Sequence, residues 1–103
     1  MTLKFNQMKE ELFNQYTQKV MSTFGLSKEE LFRKTKKRHI VDARQMLWYV
    51  CNRRPMRVIQ IQEYMSNNGY STAHSVILHG INVMSEKIED DQDYADIYSI
   101  LCT

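Results

Sequence analysis

Apolar residues recur at steps of three and four along almost the whole chain, and this spacing commits it to amphipathic helices. Over residues 4–24, Phe5, Met8, Leu12, Phe13, Tyr16, Val20 and Phe24 form one stripe. Gly25 then tolerates the positive φ that ends a helix. Ser27-Lys28-Glu29-Glu30 is a capping box, in which the serine oxygen and the glutamate carboxylate satisfy free amides reciprocally. It opens a short helix through Leu31 and Phe32. Residues 34–41 have no amphipathic period and read as a basic loop. Asp42-Ala43-Arg44-Gln45 reads as a second capping box, with Asp42 as N-cap. A mostly buried helix bearing Met46, Leu47, Trp48, Tyr49 and Val50 follows. Arg53-Arg54-Pro55 breaks it, because proline lacks an amide and disfavours a helical residue before it. A fourth helix over 58–65 turns Val58, Ile61, Tyr64 and Met65 inward. Ser66-Asn67-Asn68-Gly69-Tyr70 is a turn, after which Ser71 or Thr72 caps a fifth helix to about residue 87. Its stripe is Ile77, Ile81, Met84 and Ile88, and a last helix over 92–101 buries Tyr94, Ile97, Tyr98 and Leu101.

With 3 glycines and 1 proline the chain lacks the turn residues of a hairpin-rich β fold. Its 103 residues suit one domain. The expectation is a single all-α domain of six helices: an N-terminal helix (1–25), a basic loop with a helical core (26–88) and an acidic C-terminal helix (89–103). No apolar run approaches the roughly 18–20 residues of a membrane span. The opening Met1-Thr2-Leu3-Lys4-Phe5-Asn6-Gln7 has no apolar export signal. Cys51 and Cys102 stand far apart without zinc or redox spacing, so reduced thiols in a cytoplasmic protein are expected.

The net charge of +2 hides a strong asymmetry. Residues 33–57 carry nine Lys and Arg against Asp42 alone, a local +8, whereas residues 86–103 sum to −5. So much positive charge in one short stretch points to a polyanion, and nucleic acid is the first candidate.

Catalysis finds little support in the residues. His74 and His79 lie about 140° apart around a helix, so they do not share a face as metal ligands would. Cys51 could be paired with His39 as nucleophile and base, but an apolar helix is a poor setting for a thiolate. Glu89, Asp90, Asp91 and Asp93 lack the glycine and terminal glutamate of a calcium loop and read as a solvated linker. No phosphate-binding G-x-x-x-x-G-K-[ST] loop exists. The expectation is a non-enzyme with no cofactor, metal or small-molecule substrate. Trp48, Tyr49, Met65 and Tyr70 leave open a second class, a helical adaptor that binds a replication or regulatory protein through an exposed aromatic patch.

The fourth and fifth helices, joined by a glycine-containing turn below a basic loop, fit a helix-turn-helix. Thr72, His74, Ser75 and His79 put short donors and acceptors near the start of the fifth helix, where a recognition helix meets base edges. From about residue 16 to 101 the chain resembles the C-terminal DNA-binding domain of the bacterial replication initiator DnaA. The strongest stretches are Arg44-Gln45-Met46 and His74-Ser75-Val76-Ile77-Leu78-His79-Gly80, the latter similar to the family signature His-Thr-Thr-Val-Leu-His-Ala. The lead-in from Phe24 to Phe32, followed by Lys34, Lys36, Lys37 and Arg38, is similar to the family's short helix and basic loop.

The resemblance implies a Trp-repressor-like helix-turn-helix domain binding double-stranded DNA in replication or transcription control. It looks like a free-standing domain of the kind that viruses and mobile elements of bacteria encode. By position, it implies Arg38 in the minor groove and Lys34, Lys36, Lys37 and Arg44 on phosphates. It places Thr72, His74, Ser75, Val76 and His79 on the recognition helix, with Val76 suited at most to a thymine methyl. The chain departs from the pattern in four places. Thr72-Ala73 replaces the family's Arg-Asp, Val76 replaces its second threonine, the turn is about three residues longer, and Asp42 replaces a loop arginine. The base contacts of the missing residues are therefore not carried over.

Overall fold

The computed structural model describes residues 5–102, with side chains from Met8 onward. The side chain of Phe5, first in the N-terminal stripe, and residues 1–4 of the opening stretch read for an export signal lie outside the described part. Six helices and no strand make up the described residues: α1 (Phe5–Phe24), α2 (Lys28–Leu31), α3 (Arg38–Arg53), α4 (Val58–Asn67), α5 (His74–Asp90) and α6 (Gln92–Leu101).

Central to the arrangement is α3, which packs against each of the other five helices. Its burial is not confined to an apolar stripe: Ile40, Ala43, Met46, Leu47, Trp48, Val50 and Cys51 are buried, and so are Asp42 and Arg44. Helices α1 and α5 supply the largest contacts with α3, bringing in Phe13, Tyr16 and Val20 on one side and Ile77, Ile81 and Met84 on the other. α6 closes the far side of α1 and α5 with Leu101.

The helix ends follow local chemistry at three points. Gly25 (φ 65°) ends α1, and the Leu26 amide donates to the Met21 carbonyl at 2.9 Å, a Schellman turn that sends Leu26 into the core. The Ser27 capping box forms as read: the Glu30 amide donates to Ser27 Oγ and the Ser27 amide to Glu30 Oε1. Gly69 (φ 86°) builds a second Schellman turn on α4, with its own amide donating to Ser66 and the Tyr70 amide donating to Met65. That turn delivers Tyr70 into the interior, 6% exposed.

Two starts and one linker differ from the sequence reading. α3 begins at Arg38, not at Asp42, and Lys37 occupies the N-cap without a side-chain cap bond. Asp42 is a buried interior residue whose carboxylate accepts from Lys87 Nζ (2.8 Å) and the Tyr94 hydroxyl (2.7 Å). Those partners, from α5 and α6, leave it no role in capping its own helix. α5 begins at His74 with Ala73 as N-cap, so neither Ser71 nor Thr72 caps it. Their carbonyls are taken by Lys34 Nζ and Gln62 Nε2, which hold this segment extended. Glu89 and Asp90 form the last turn of α5 rather than a linker, and Asp91 caps α6 by accepting from the Asp93 amide.

Candidate nucleic-acid interface

The basic loop is shorter than its sequence indicated, because α3 takes Arg38 onward. Lys36, Lys37 and Arg38 are exposed, and among the described residues none of the three forms an ion pair. The Lys37 amide donates to Thr35 Oγ1, which tightens the loop just ahead of α3. Arg33, absent from the candidate set, is exposed at the start of the same loop. Arg53, Arg54 and Arg57, which share the +8 stretch, stand at the other end of α3, roughly 24 Å along its axis. The charge therefore splits into two clusters, one at each end of the central helix.

Arg44 is not a surface cation. It is 3% exposed. Its Nε donates to the Leu31 carbonyl at 3.2 Å and its Nη2 to the Arg33 carbonyl at 2.6 Å, while its guanidinium lies 4.6 Å from the centroid of the Tyr70 ring. Burial lowers its pKa, and the neighbouring Tyr70 phenol acts in the opposite direction. The fork that was to meet a phosphate instead holds the carbonyls between α2 and the loop, so Arg44 leaves the candidate set. Lys34 is also committed: its ammonium donates to the Ser71 carbonyl and sits 4.8 Å from the same ring centroid.

α5 presents its outer face to solvent. His74, Ser75, Val76 and His79 are all exposed, and Thr72, just ahead of the helix, is half-buried. Ile77, Gly80, Ile81 and Met84 face inward. At 100° per residue the centre of the outer face is Ser75, Leu78, His79 and Asn82, with His74 and Val76 on its two flanks. Leu78 and Asn82 were missed by motif reading, yet the spacing from Ser75 alone places them there. Leu78 is 44% exposed and Val76 45%, unusual for large apolar side chains on a helix that also builds the core.

The seat of α5 on α3 is set at Gly80. A β-carbon there would lie 2.7 Å from Trp48 Cε3 and 2.8 Å from Cζ3, so the two helices cross at glycine-limited distance. The far end of α5 is fixed by the Asp42–Lys87–Tyr94 network. Donating to Asp42 pushes the Tyr94 phenol up to about 12, with burial adding to the shift. The Arg38 charge works against that shift.

The other candidate sites do not assemble. Trp48, Met65 and Tyr70 are buried and Tyr49 is half-buried, packed edge-on to Tyr98, so the aromatic docking patch is part of the core. Cys51 is fully buried and its thiol is pushed far up by desolvation, while His39 lies at the surface with Nε2 donating to the Phe24 carbonyl. Among the described residues no group of three His, Cys, Asp or Glu side chains is placed to hold a metal, and no helix is long and apolar enough to cross a membrane. No protein-family model, curated protein or solved structure matches the chain.

Proposed function

We propose that this chain is a non-catalytic protein that binds double-stranded DNA, with the exposed loop cations on the sugar-phosphate backbone and the outer face of α5 in the major groove. The observation that carries the reading is the pairing of two surfaces. Lys36, Lys37 and Arg38 are exposed and form no ion pair among the described residues, at the start of α3, and α5, which packs on α3, turns Ser75, Leu78, His79 and Asn82 to solvent. A bare α-helix fits the roughly 12 Å major groove. Its first-turn amides, uncapped by any side chain, present the positive end of the helix dipole towards phosphate. Asn82 has the amide geometry for an adenine edge, and Leu78 and Val76 suit a thymine methyl. The sequence resemblance to the initiator's DNA-binding domain supports the same reading and a role in replication or transcription control in the cytoplasm. The acidic residues at the end of α5 and the start of α6 repel phosphate, so the contact is confined to the first three turns of α5.

The test is fluorescence anisotropy of a labelled random duplex titrated at several salt concentrations. With Arg44 buried and Lys34 engaged by Ser71 and Tyr70, the available cations are Arg33, Lys36 and Lys37 of the loop and Arg38 at the start of α3. Four such contacts give a slope of log K against log salt of roughly −3 to −4. Absence of binding at low salt, or a flat salt dependence, refutes the proposal. Selection from a random duplex library then supplies a preferred site. On it, Ser75→Ala or Asn82→Ala costs about 1–3 kcal/mol, with little change on random DNA.

A further inference from the structure

The geometry points to a clamp: Tyr70, gripped by Arg44 and Lys34, is a positioning residue that fixes the basic loop against the lead into α5, and Lys34 governs DNA affinity through this clamp without touching phosphate. The second half of that statement rests on the DNA-binding reading; the clamp does not.

Three independent contacts meet at one ring. The buried Arg44 guanidinium lies 4.6 Å from its centroid, the exposed Lys34 ammonium 4.8 Å from it, and the Trp48 ring packs at 6.3 Å, tilted by 58°. Two like charges so near each other are brought together by the electron-rich face of the phenol ring, which attracts both. Each cation also holds backbone on its own side. Arg44 holds the carbonyls of Leu31 and Arg33, which enter the loop, and Lys34 holds the carbonyl of Ser71, which leads into α5. The ring itself is delivered by the Schellman turn at Gly69, and the Thr72 carbonyl is held from below by Gln62. Loop, ring and helix lead are therefore one unit, although residues 34–36 lie outside any helix.

A duplex is rigid on this length scale. Two protein surfaces can engage it together only if their separation is already set, and a loose loop would have to be ordered at the moment of binding. The clamp sets that separation in the free protein. With its ammonium held on Ser71 and Tyr70, Lys34 keeps its charge but is not, on this proposal, one of the phosphate contacts that set the salt slope. Affinity and salt slope must then respond differently to its loss.

The experiment compares Tyr70→Phe, Tyr70→Leu, Lys34→Ala and Lys36→Ala, each first checked for a cooperative melting transition. Limited trypsin digestion of the free proteins reads the clamp without DNA. Tyr70→Leu and Lys34→Ala should raise cleavage after Lys36, Lys37 and Arg38 about tenfold while cleavage after Arg53 and Arg57 stays at its original rate, and Tyr70→Phe should leave both unchanged. A purely global loss of stability would raise cleavage at all sites together and would overturn the clamp. So would unchanged loop cleavage in Tyr70→Leu. Anisotropy with random duplex then reads the second half. Lys34→Ala and Tyr70→Leu should weaken binding about five- to tenfold at every salt concentration with the slope unchanged, and Lys36→Ala should reduce the slope by about one. A slope reduced by about one in Lys34→Ala makes Lys34 an ordinary phosphate contact and overturns its assignment. If the unaltered protein binds no duplex, the DNA reading fails, and the digestion result still decides the clamp.

Discussion

Gly80→Ala is the substitution that most directly tests how α5 is seated. In an exposed helix this change stabilises by about 1 kcal/mol, because glycine loses more backbone entropy than alanine. Here the new methyl would meet Trp48 Cε3 at 2.7 Å and Cζ3 at 2.8 Å, with Gln45 Cγ at 3.2 Å. Comfortable carbon–carbon contact is about 3.5–4.0 Å, so the indole or the helix must retreat by roughly 1 Å. Trp48 is 3% exposed and already packed on Tyr70, and a six-membered ring edge does not yield like the end of a flexible chain. Overpacking of this kind costs about 1–3 kcal/mol, which set against the helix-propensity gain leaves a net loss of about 0–2 kcal/mol, towards the upper end because contacts this short cannot be relieved by a flexible chain end. For a domain of this size that lowers Tm by up to about 15 °C, measurable by far-ultraviolet circular dichroism. The double variant Gly80→Ala with Trp48→Leu should lose less than the two single changes summed, since the leucine removes the obstructing ring edge. A Gly80→Ala protein that melts at or above the original temperature would refute the close crossing, and with it the orientation assigned to the outer face of α5.

Ile77→Ala should cost about 2–5 kcal/mol in urea unfolding, whereas Ser75→Ala should stay within about 0.5 kcal/mol, because Ile77 is fully buried and Ser75 faces solvent. A native-state thiol assay should count one reactive cysteine, the exposed Cys102, and a second only in denaturant, when Cys51 is released from the core; two fast thiols in the folded protein would contradict its burial. The Tyr94 phenol titrates higher in the folded protein than unfolded, so its contribution to stability is complete below about pH 10 and is lost as pH rises towards about 12. Tyr94→Phe should remove that part of the alkaline destabilisation, and an identical pH profile for the two proteins would show that the Asp42 hydrogen bond is not formed.

Helix identity in this chain was legible because it depends on neighbours a few residues apart. The stripe Ile77, Ile81 and Met84 faces inward as its spacing requires, Ser27 and Glu30 cap each other, and Gly25 and Gly69 take the positive φ that only glycine adopts freely. The outward direction of Ser75 and His79 follows from the same period. What the sequence could not express is the fate of charged groups whose partners are remote. Asp42 looks like an N-cap until Lys87, 45 residues on, and Tyr94, 52 residues on, take its two oxygens. Lys34 and Arg44 look like phosphate contacts until the Schellman turn brings Tyr70 beside them and the Ser71 carbonyl, 37 residues from Lys34, accepts its ammonium. A charge written in sequence is a surface charge only if folding offers it nothing better than water. That comparison includes desolvation and the geometry of distant donors and acceptors, and the tertiary structure alone decides it.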